Sequence, residues 1–395
     1  MHGAGYRMES LIKKYSDKLV SQNLCEKDTP LLGAIDDSII WSRNADETAV
    51  LEKVLLSLNT SSILYAPVKE PYRSIINYLA ENSTDVIRPD DTETRTFLHD
   101  IPVASLFSAD EIIDRLKKRK GLIVRNRGIV TWGSVSPEQA FVTFSSICFS
   151  CYVKFMTDFY FHSKGIAKLP GNPEKTAALA VSMYRDFIGA LQGEPSIQGP
   201  FSSPDQTASA IIEAGLLTVK SGMVDSFFGN ISAKFGSTIY ISQTGSSLDE
   251  LSGAIDPCPI DNSTSNAITS SSEFSAHKSV YESSPAAVIL HGHPRFSVIM
   301  SMLCDDMTCK NRGLCHINCS KERFIDDIPV VPGEVGTGLR GLAKTIPPAL
   351  KGRGAIVYGH GLFTTGTIDF TDAFRNLIDI EKKAFLLYTA MTGLS

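Results

Sequence analysis

The sequence lacks a basic stripe: its 38 Lys and Arg are outnumbered by 43 Asp and Glu, for a formal charge of -5. That balance excludes the electrostatic footprint of a nucleic-acid binder and leaves no attraction to an anionic membrane surface. No secretory leader is expected, because Met1 to Leu19 scatters Lys13, Lys14 and Lys18 among polar residues, without a continuous apolar run or a small-residue cleavage site. No other segment reads as the roughly 18 apolar residues of a membrane span, so a cytoplasmic location is expected. Cysteine is sparse, with eight in 395 residues, too few for a disulfide scaffold. Four of the eight nevertheless crowd together at Cys304, Cys309, Cys315 and Cys319.

What is present is an ordinary globular composition, 43% hydrophobic and 21% charged, in a chain long enough for two domains with separate cores. The segment Gly193 to Pro204 is rich in Gly, Pro and Ser and reads as a linker, preceded by a helix from Lys175 to Leu191. The boundaries expected are a first domain over 1–165, a connecting helix and linker over 166–205, and a second domain over 206–395. An internal repeat at a spacing of about 226 to 233 residues relates the two. Glu47 through Ser62-Ile-Leu-Tyr-Ala-Pro67 parallels Glu273 through Val288-Ile-Leu-His-Gly-His293, with 18 residues from the glutamate to Tyr65 or His291. Asp100-Ile-Pro-Val103 parallels Asp327-Ile-Pro-Val330, and Lys120 to Gly128 parallels Arg353 to Gly361. Apolar, β-branched runs at 287–290, 328–331 and 355–358 predict strands; helical spacing predicts helices over 273–281, 338–345 and 371–389.

His291-Gly-His293 follows one of these strands, and alternation turns both imidazoles to the same side. His360 follows another and is flanked by Gly359 and Gly361, which allow a sharp turn and a close approach. Glu273 opens a helix behind Ser271 and Ser272. Three neutral imidazoles and a carboxylate suit Zn²⁺ or a similar divalent cation. Singly, a histidine is more often structural, and a glutamate at a helix start is favoured by the macrodipole alone. The repeat changes the weighting, because the first half holds Tyr65, Pro67 and Arg127 at the histidine positions and cannot reproduce the site. Small polar residues beside glycine, at Gly229, Asn230, Ser232, Thr244, Gly245, Ser271 and Ser272, can present N–H groups and hydroxyls to a phosphate, although such pairs also suit plain turns.

From about Thr207 to Tyr388 the chain resembles the class II aldolase/adducin family, on the motifs Gly229-Asn-Ile-Ser232, Thr244-Gly245, Ser271-Ser-Glu273, His291-Gly-His293 and Gly359-His-Gly361. The resemblance implies an α/β layered fold with a central, mostly antiparallel sheet flanked by helices, repeated in tandem with a degenerate first copy. It implies a cation held by His291, His293 and His360, with Glu273 as ligand and acid/base, and a substrate phosphate at the small polar motifs. The expected activity is aldolase-type cleavage of a phosphorylated sugar or ketose through a metal-stabilised enediolate. Epimerase, dehydratase or decarboxylase chemistry on the same platform, and an adducin-like interaction role, are the alternatives. The resemblance also implies a homo-oligomer, dimer or tetramer. His277, one turn after Glu273, suits a structural or supporting role as well as a catalytic one. Cys304, Cys309, Cys315 and Cys319, with His316 among them, suit a second, structural metal or an iron-sulfur cluster, or else ordinary or disulfide-paired cysteines. Cys148 and Cys151 lie in an apolar helical run and read as core.

Overall fold

The computed structural model describes residues 3–224, 227–319 and 321–394. The chain divides into two compact units, Met1–Arg185 and Asp186–Ser395. The first carries the strands β1 (Leu31–Ile35), β2 (Ile39–Trp41), β3 (Ser62–Ala66), β4 (Val86–Ile87), β5 (Ile101–Ala104), β6 (Gly121–Val124) and β7 (Gly128–Gly133). They form one sheet in the order β2-β1-β3-β7-β6-β5-β4. The second unit carries β8 (Asn230–Phe235), β9 (Thr238–Ser242), β10 (Ile255–Pro259), β11 (Val288–Gly292), β12 (Arg323–Ile325), β13 (Ile328–Val331), β14 (Gly354–Val357) and β15 (Gly361–Gly366). Their order is β10-β9-β8-β11-β15-β14-β13-β12. Each sheet is flanked by helices and antiparallel except for one parallel pair, β5 with β6 and β13 with β14. This is the mixed, helix-flanked architecture that the resemblance implied.

The register of the two sheets is the same, residue for residue. Tyr65 faces Val130 across β3 and β7 as His291 faces Phe363 across β11 and β15. Gly121 faces Thr131 as Gly354 faces Thr364. The correspondence reaches further than the sequence motifs: Leu31 pairs with Tyr65 as Asn230 pairs with His291, so β1 takes the place of β8 although it carries none of the Gly-Asn-Ile-Ser signature. Both sheets bury an apolar layer. Ile239, Ile289, Ala355 and Phe363 share one cluster with Val280 and Ile346, while Leu31, Ile63, Leu122 and Val130 share another with Leu51 and Leu55.

Two expectations about elements are corrected. The helix Pro137–Ser163 is long and apolar enough to span a membrane by length and composition, where no such segment was expected; 89% of its apolar window is buried. It is the core helix of the first unit and packs on β3, β6 and β7. Lys154 and Asp158, paired on its side at 3.0 Å, interrupt the apolar run and hide it from a simple reading. The helix expected over 338–345 starts later, at Leu342–Ala349, because Gly336, Gly338 and Gly341 favour turns over helix.

The second unit anchors the chain just beyond His293 with a remote carboxylate. Glu381, fully buried in the helix Phe370–Thr392, accepts hydrogen bonds from the Phe296 and Ser297 N–H groups and from Ser297 Oγ, each at 2.7 Å. It thereby caps the start of the helix Arg295–Met302 and satisfies donors that have no intrahelical partner. Glu381→Ala leaves those N–H groups buried and unsatisfied, and we expect a loss of about 2–4 kcal/mol. Urea unfolding checks this; an unchanged midpoint would show that the cap contributes nothing.

Candidate metal centre

His291 lies in β11, His293 one residue past its end, and His360 in the turn between β14 and β15. One strand with its end, and one turn of the same sheet, therefore aim three rings at one point. Ligand nitrogens of all three histidines lie within 4.8 Å of one another, and all three side chains are buried. No other set of three or more His, Cys, Asp or Glu residues comes this close among the described residues. The turn needs its glycines: Gly359 sits at φ 59°, and a Cβ on Gly361 would stand 2.6 Å from His291 Cε1 and 2.9 Å from His293 Cδ2. The rings are also clamped by aromatic faces. Phe363 stacks on His291 with centroids 3.9 Å apart, and Phe228 stacks on His293 at 5.6 Å.

Glu273, at the start of the helix Phe274–Ser283, brings a carboxylate to the same point. Its Oε1 is 3.1 Å from His360 Nε2 and its Oε2 is 3.5 Å from His291 Nε2. Burial pushes this carboxyl up, but the electrostatic pull of the His291 ring and the hydrogen bonds from His360 and Asn230 outweigh it, leaving the group held well below the usual carboxylate range. Burial moves the imidazoles the other way, to about 4 at His291 and well below the ordinary value at His293. An ionised carboxylate thus stands beside the neutral imidazoles of His291 and His293.

That donor set fits a divalent cation. His291 Nδ1 lies 3.2 Å from the Leu362 carbonyl, which can accept only an N–H, so the lone pair of His291 is on Nε2. His291 Nε2 stands 3.1 Å from His293 Nε2. Two ring nitrogens this close, with a carboxylate beside them and His293 Nδ1 buried without a hydrogen-bond partner, make a donor set that a divalent cation would suit. His291, His293, His360 and Glu273 could hold the cation.

The small polar residues divide into two groups. Thr244 N donates to Thr269 O, and Ser271 N to Ser242 O, at 3.0 Å each, which brings the Thr244-Gly245 turn beside Ser271 and the exposed Ser272. Gly245 has a left-handed φ of 68° with open space around its Cβ position. Thr244 and Ser271 spend their N–H groups on those bonds, so the N–H groups of Gly245 and Ser272 and the hydroxyls of Thr244, Ser271 and Ser272 are what these four bring to this edge of the sheet. Asn230 and Ser232, by contrast, are turned inward. Ser232 is fully buried and spends its hydroxyl on His277 and Tyr281; Asn230 spends both side-chain atoms on Glu273 and His277. Their side chains serve the carboxylate rather than a phosphate cradle. Gly229, at φ 78°, lets the chain pass 2.4 Å from its missing Cβ to the His291 carbonyl.

Tyr281 was not singled out from the sequence, yet Glu273, His277 and Tyr281 are spaced by four residues and so share one helix face. That spacing was the available signal. Cys304, Cys309 and Cys319 are half-buried and Cys315 is buried; all four are free thiols. Burial and the charges of the other three push the Cys315 thiol up, and the irregular loop that carries them is tied across its ends by Lys321 on Asp306 at 2.6 Å and Arg323 on the Leu303 carbonyl at 2.6 Å. Cys148 and Cys151 are fully buried in the core helix.

Residues 209–388 match the model of the Class II Aldolase and Adducin N-terminal domain. No curated protein matches the chain. Among solved structures, L-fuculose-1-phosphate aldolase from Thermus thermophilus is similar at 20% identity, over 47% of this chain and 94% of that one, with a TM-score of 0.38. YgbL of Klebsiella pneumoniae, described as a putative aldolase/epimerase/decarboxylase, is similar at 20% identity over 48% and 91%, with a TM-score of 0.37. The N-terminal class II aldolase domain of a conserved Thermoplasma acidophilum protein is similar at 15% identity over 50% and 99%, with a TM-score of 0.36. Residues 209–388, which hold the whole histidine–glutamate cluster, carry a class II aldolase and adducin domain.

Proposed function

We propose that the protein is a zinc-dependent lyase of the aldolase type acting on a phosphorylated sugar or ketose. The observation that carries this reading is the convergence of His291, His293, His360 and an ionised Glu273 on one point, in a segment of a family whose members are usually metal-dependent enzymes. When bound, the cation supplies Lewis acidity, offsetting the negative charge that builds beside a carbonyl as a C–C bond breaks. Glu273 holds or returns the proton at its carboxylate oxygens, within reach of the same point. The Gly245 and Ser272 N–H groups and the Thr244, Ser271 and Ser272 hydroxyls offer donors for the substrate phosphate. The buried, aromatic-clamped rings keep water from competing for the site. An adducin-like interaction role has no need of a buried four-donor cluster.

Metal analysis combined with a panel of phosphorylated ketoses tests the proposal. We expect one equivalent of tightly held zinc at the histidines, lost in His291→Ala together with cleavage of any ketose phosphate that the wild type accepts. Wild-type protein that takes up no zinc would remove the proposal, and a product that is epimerised or dehydrated rather than cleaved would redirect it. The four-thiol loop is proposed as a separate structural site, for zinc or an iron-sulfur cluster, around which the loop would have to close, since no three of its thiols stand as near one another as the histidine nitrogens do. The same metal measurement decides it, since Cys309→Ser should lose a further metal while leaving the histidine-held ion.

A further inference from the structure

We propose that His277 is a positioning residue, the middle of a buried relay that fixes which atom of Asn230 faces Glu273. The proposal rests on the metal-centre reading above and concerns how that centre is kept in its working arrangement. Asn230 Nδ2 lies 2.7 Å from Glu273 Oε2. A carboxylate only accepts, so the amide must present its NH₂ there and its Oδ1 on the other side. That Oδ1 lies 2.5 Å from His277 Nε2, which must therefore carry a proton. The other ring nitrogen, Nδ1, is then an acceptor in the neutral ring and takes the proton of Ser232 Oγ, 2.7 Å away. Ser232 in turn accepts from Tyr281 Oη at 2.8 Å. Every donor and acceptor along Tyr281, Ser232, His277, Asn230 and Glu273 is thus assigned by the next, in a site from which water is excluded.

The first unit shows that the fold does not require this chain of bonds. The equal registers place Leu31 at the Asn230 position and Gly33 at the Ser232 position. Counting from the glutamate at each helix start places Leu51 at the His277 position and Leu55 at the Tyr281 position. All four polar members are gone: three are core leucines, and the Trp41 ring closes over Gly33 at 2.5–2.7 Å from its missing Cβ. Glu47 remains, with the Arg127 guanidinium 3.8 Å away in place of an imidazole. One chain therefore holds two copies of a sheet, and the copy without the metal ligands also lacks the relay. That coincidence assigns the relay to the centre rather than to packing.

His277→Leu, the residue present in the other copy, tests the relay. It frees the Asn230 amide to flip and present its oxygen to the carboxylate. We expect the variant to fold, with Zn²⁺ affinity measured against a chromophoric chelator lower by about 10–100-fold. His277→Gln keeps a donor for Asn230 Oδ1 and should recover part of the loss. Long-range ¹H–¹⁵N spectra of the wild type should show His277 as the Nε2–H tautomer. A folded leucine variant with wild-type Zn²⁺ affinity, or an Nδ1–H tautomer in the wild type, overturns the proposal. Should the leucine variant not fold, Ser232→Gly replaces it, with tautomer exchange at His277 and a several-fold weaker Zn²⁺ affinity expected and unchanged values overturning. Wild-type protein that binds no Zn²⁺ sinks the metal-centre reading instead and leaves the tautomer to decide the relay.

Discussion

Glu273→Gln is expected to slow cleavage of an accepted ketose phosphate by about 10²–10⁴-fold, the range for loss of a general acid/base group, while zinc stays in the protein. The three imidazoles remain, so the site keeps most of its ligands. Glutamine also keeps one carbonyl oxygen, but its NH₂ cannot accept. Asn230 Nδ2, which donates to Glu273 Oε2 at 2.7 Å, loses its acceptor if the glutamine NH₂ takes that place. No ionisable oxygen is left to move a proton. Turnover and zinc content measured on one preparation separate the two roles. If activity falls only in proportion to zinc, Glu273 is a ligand and no more. If activity survives with zinc in place, proton transfer belongs to another group.

The ligands were legible in the sequence because each is a local signal: a histidine pair at strand spacing, a histidine between glycines, and a glutamate after two serines. The repeat gave them weight by showing the same strands with Tyr65, Pro67 and Arg127 instead. What the sequence concealed depends on contacts between distant residues. Nothing local says that Asn230 and Ser232 point at the helix Phe274–Ser283, because Gly-Asn-Ile-Ser reads equally well as a turn that offers donors to phosphate. Only the pairing of β8 beside β11 turns those side chains toward His277. The match between β1 and β8 was hidden for the same reason, since Leu31 and Gly33 share no chemistry with Asn230 and Ser232 and only the register equates them. Glu381 lies 85 positions from Phe296, and its capping role has no sequence signature at all.

Acid is expected to unfold the metal-free second unit well before it unfolds the first. Burial lowers His291 to about 4 and His277 to about 3, against 6.5 for the free side chain. Above pH 6.5 neither the folded nor the unfolded chain protonates these rings, and they exert no pH effect. As the pH falls below 6.5 the unfolded chain takes up protons that the folded chain refuses, so stability drops by up to about 1.4 kcal/mol per pH unit for each ring. The drop continues down to about pH 4 for His291 and pH 3 for His277. Glu273, held below its ordinary range, adds a loss of the same sign as its unfolded form becomes protonated near 4.5. Between pH 7 and pH 4.5 the sum is on the order of several kcal/mol, a large share of a typical domain's stability. The first unit has the opposite dependence at Asp91, which caps the helix Thr92–Leu98. Burial there outweighs the Thr94 hydrogen bonds and raises the carboxyl to about 6. Its folded value lies above the free value of 3.8, so its contribution is greatest below that pH and is lost as pH rises toward 6. Thermal unfolding of the metal-free protein at pH 7 and pH 4.5, followed by hydrogen exchange at the amides of β11 and β3, separates the units. Protection should fall at β11 on acidification and hold at β3. Equal loss in both, or none in β11, would mean that the second unit does not bury its imidazoles in the neutral form, and with that the donor set described for the cation would be wrong.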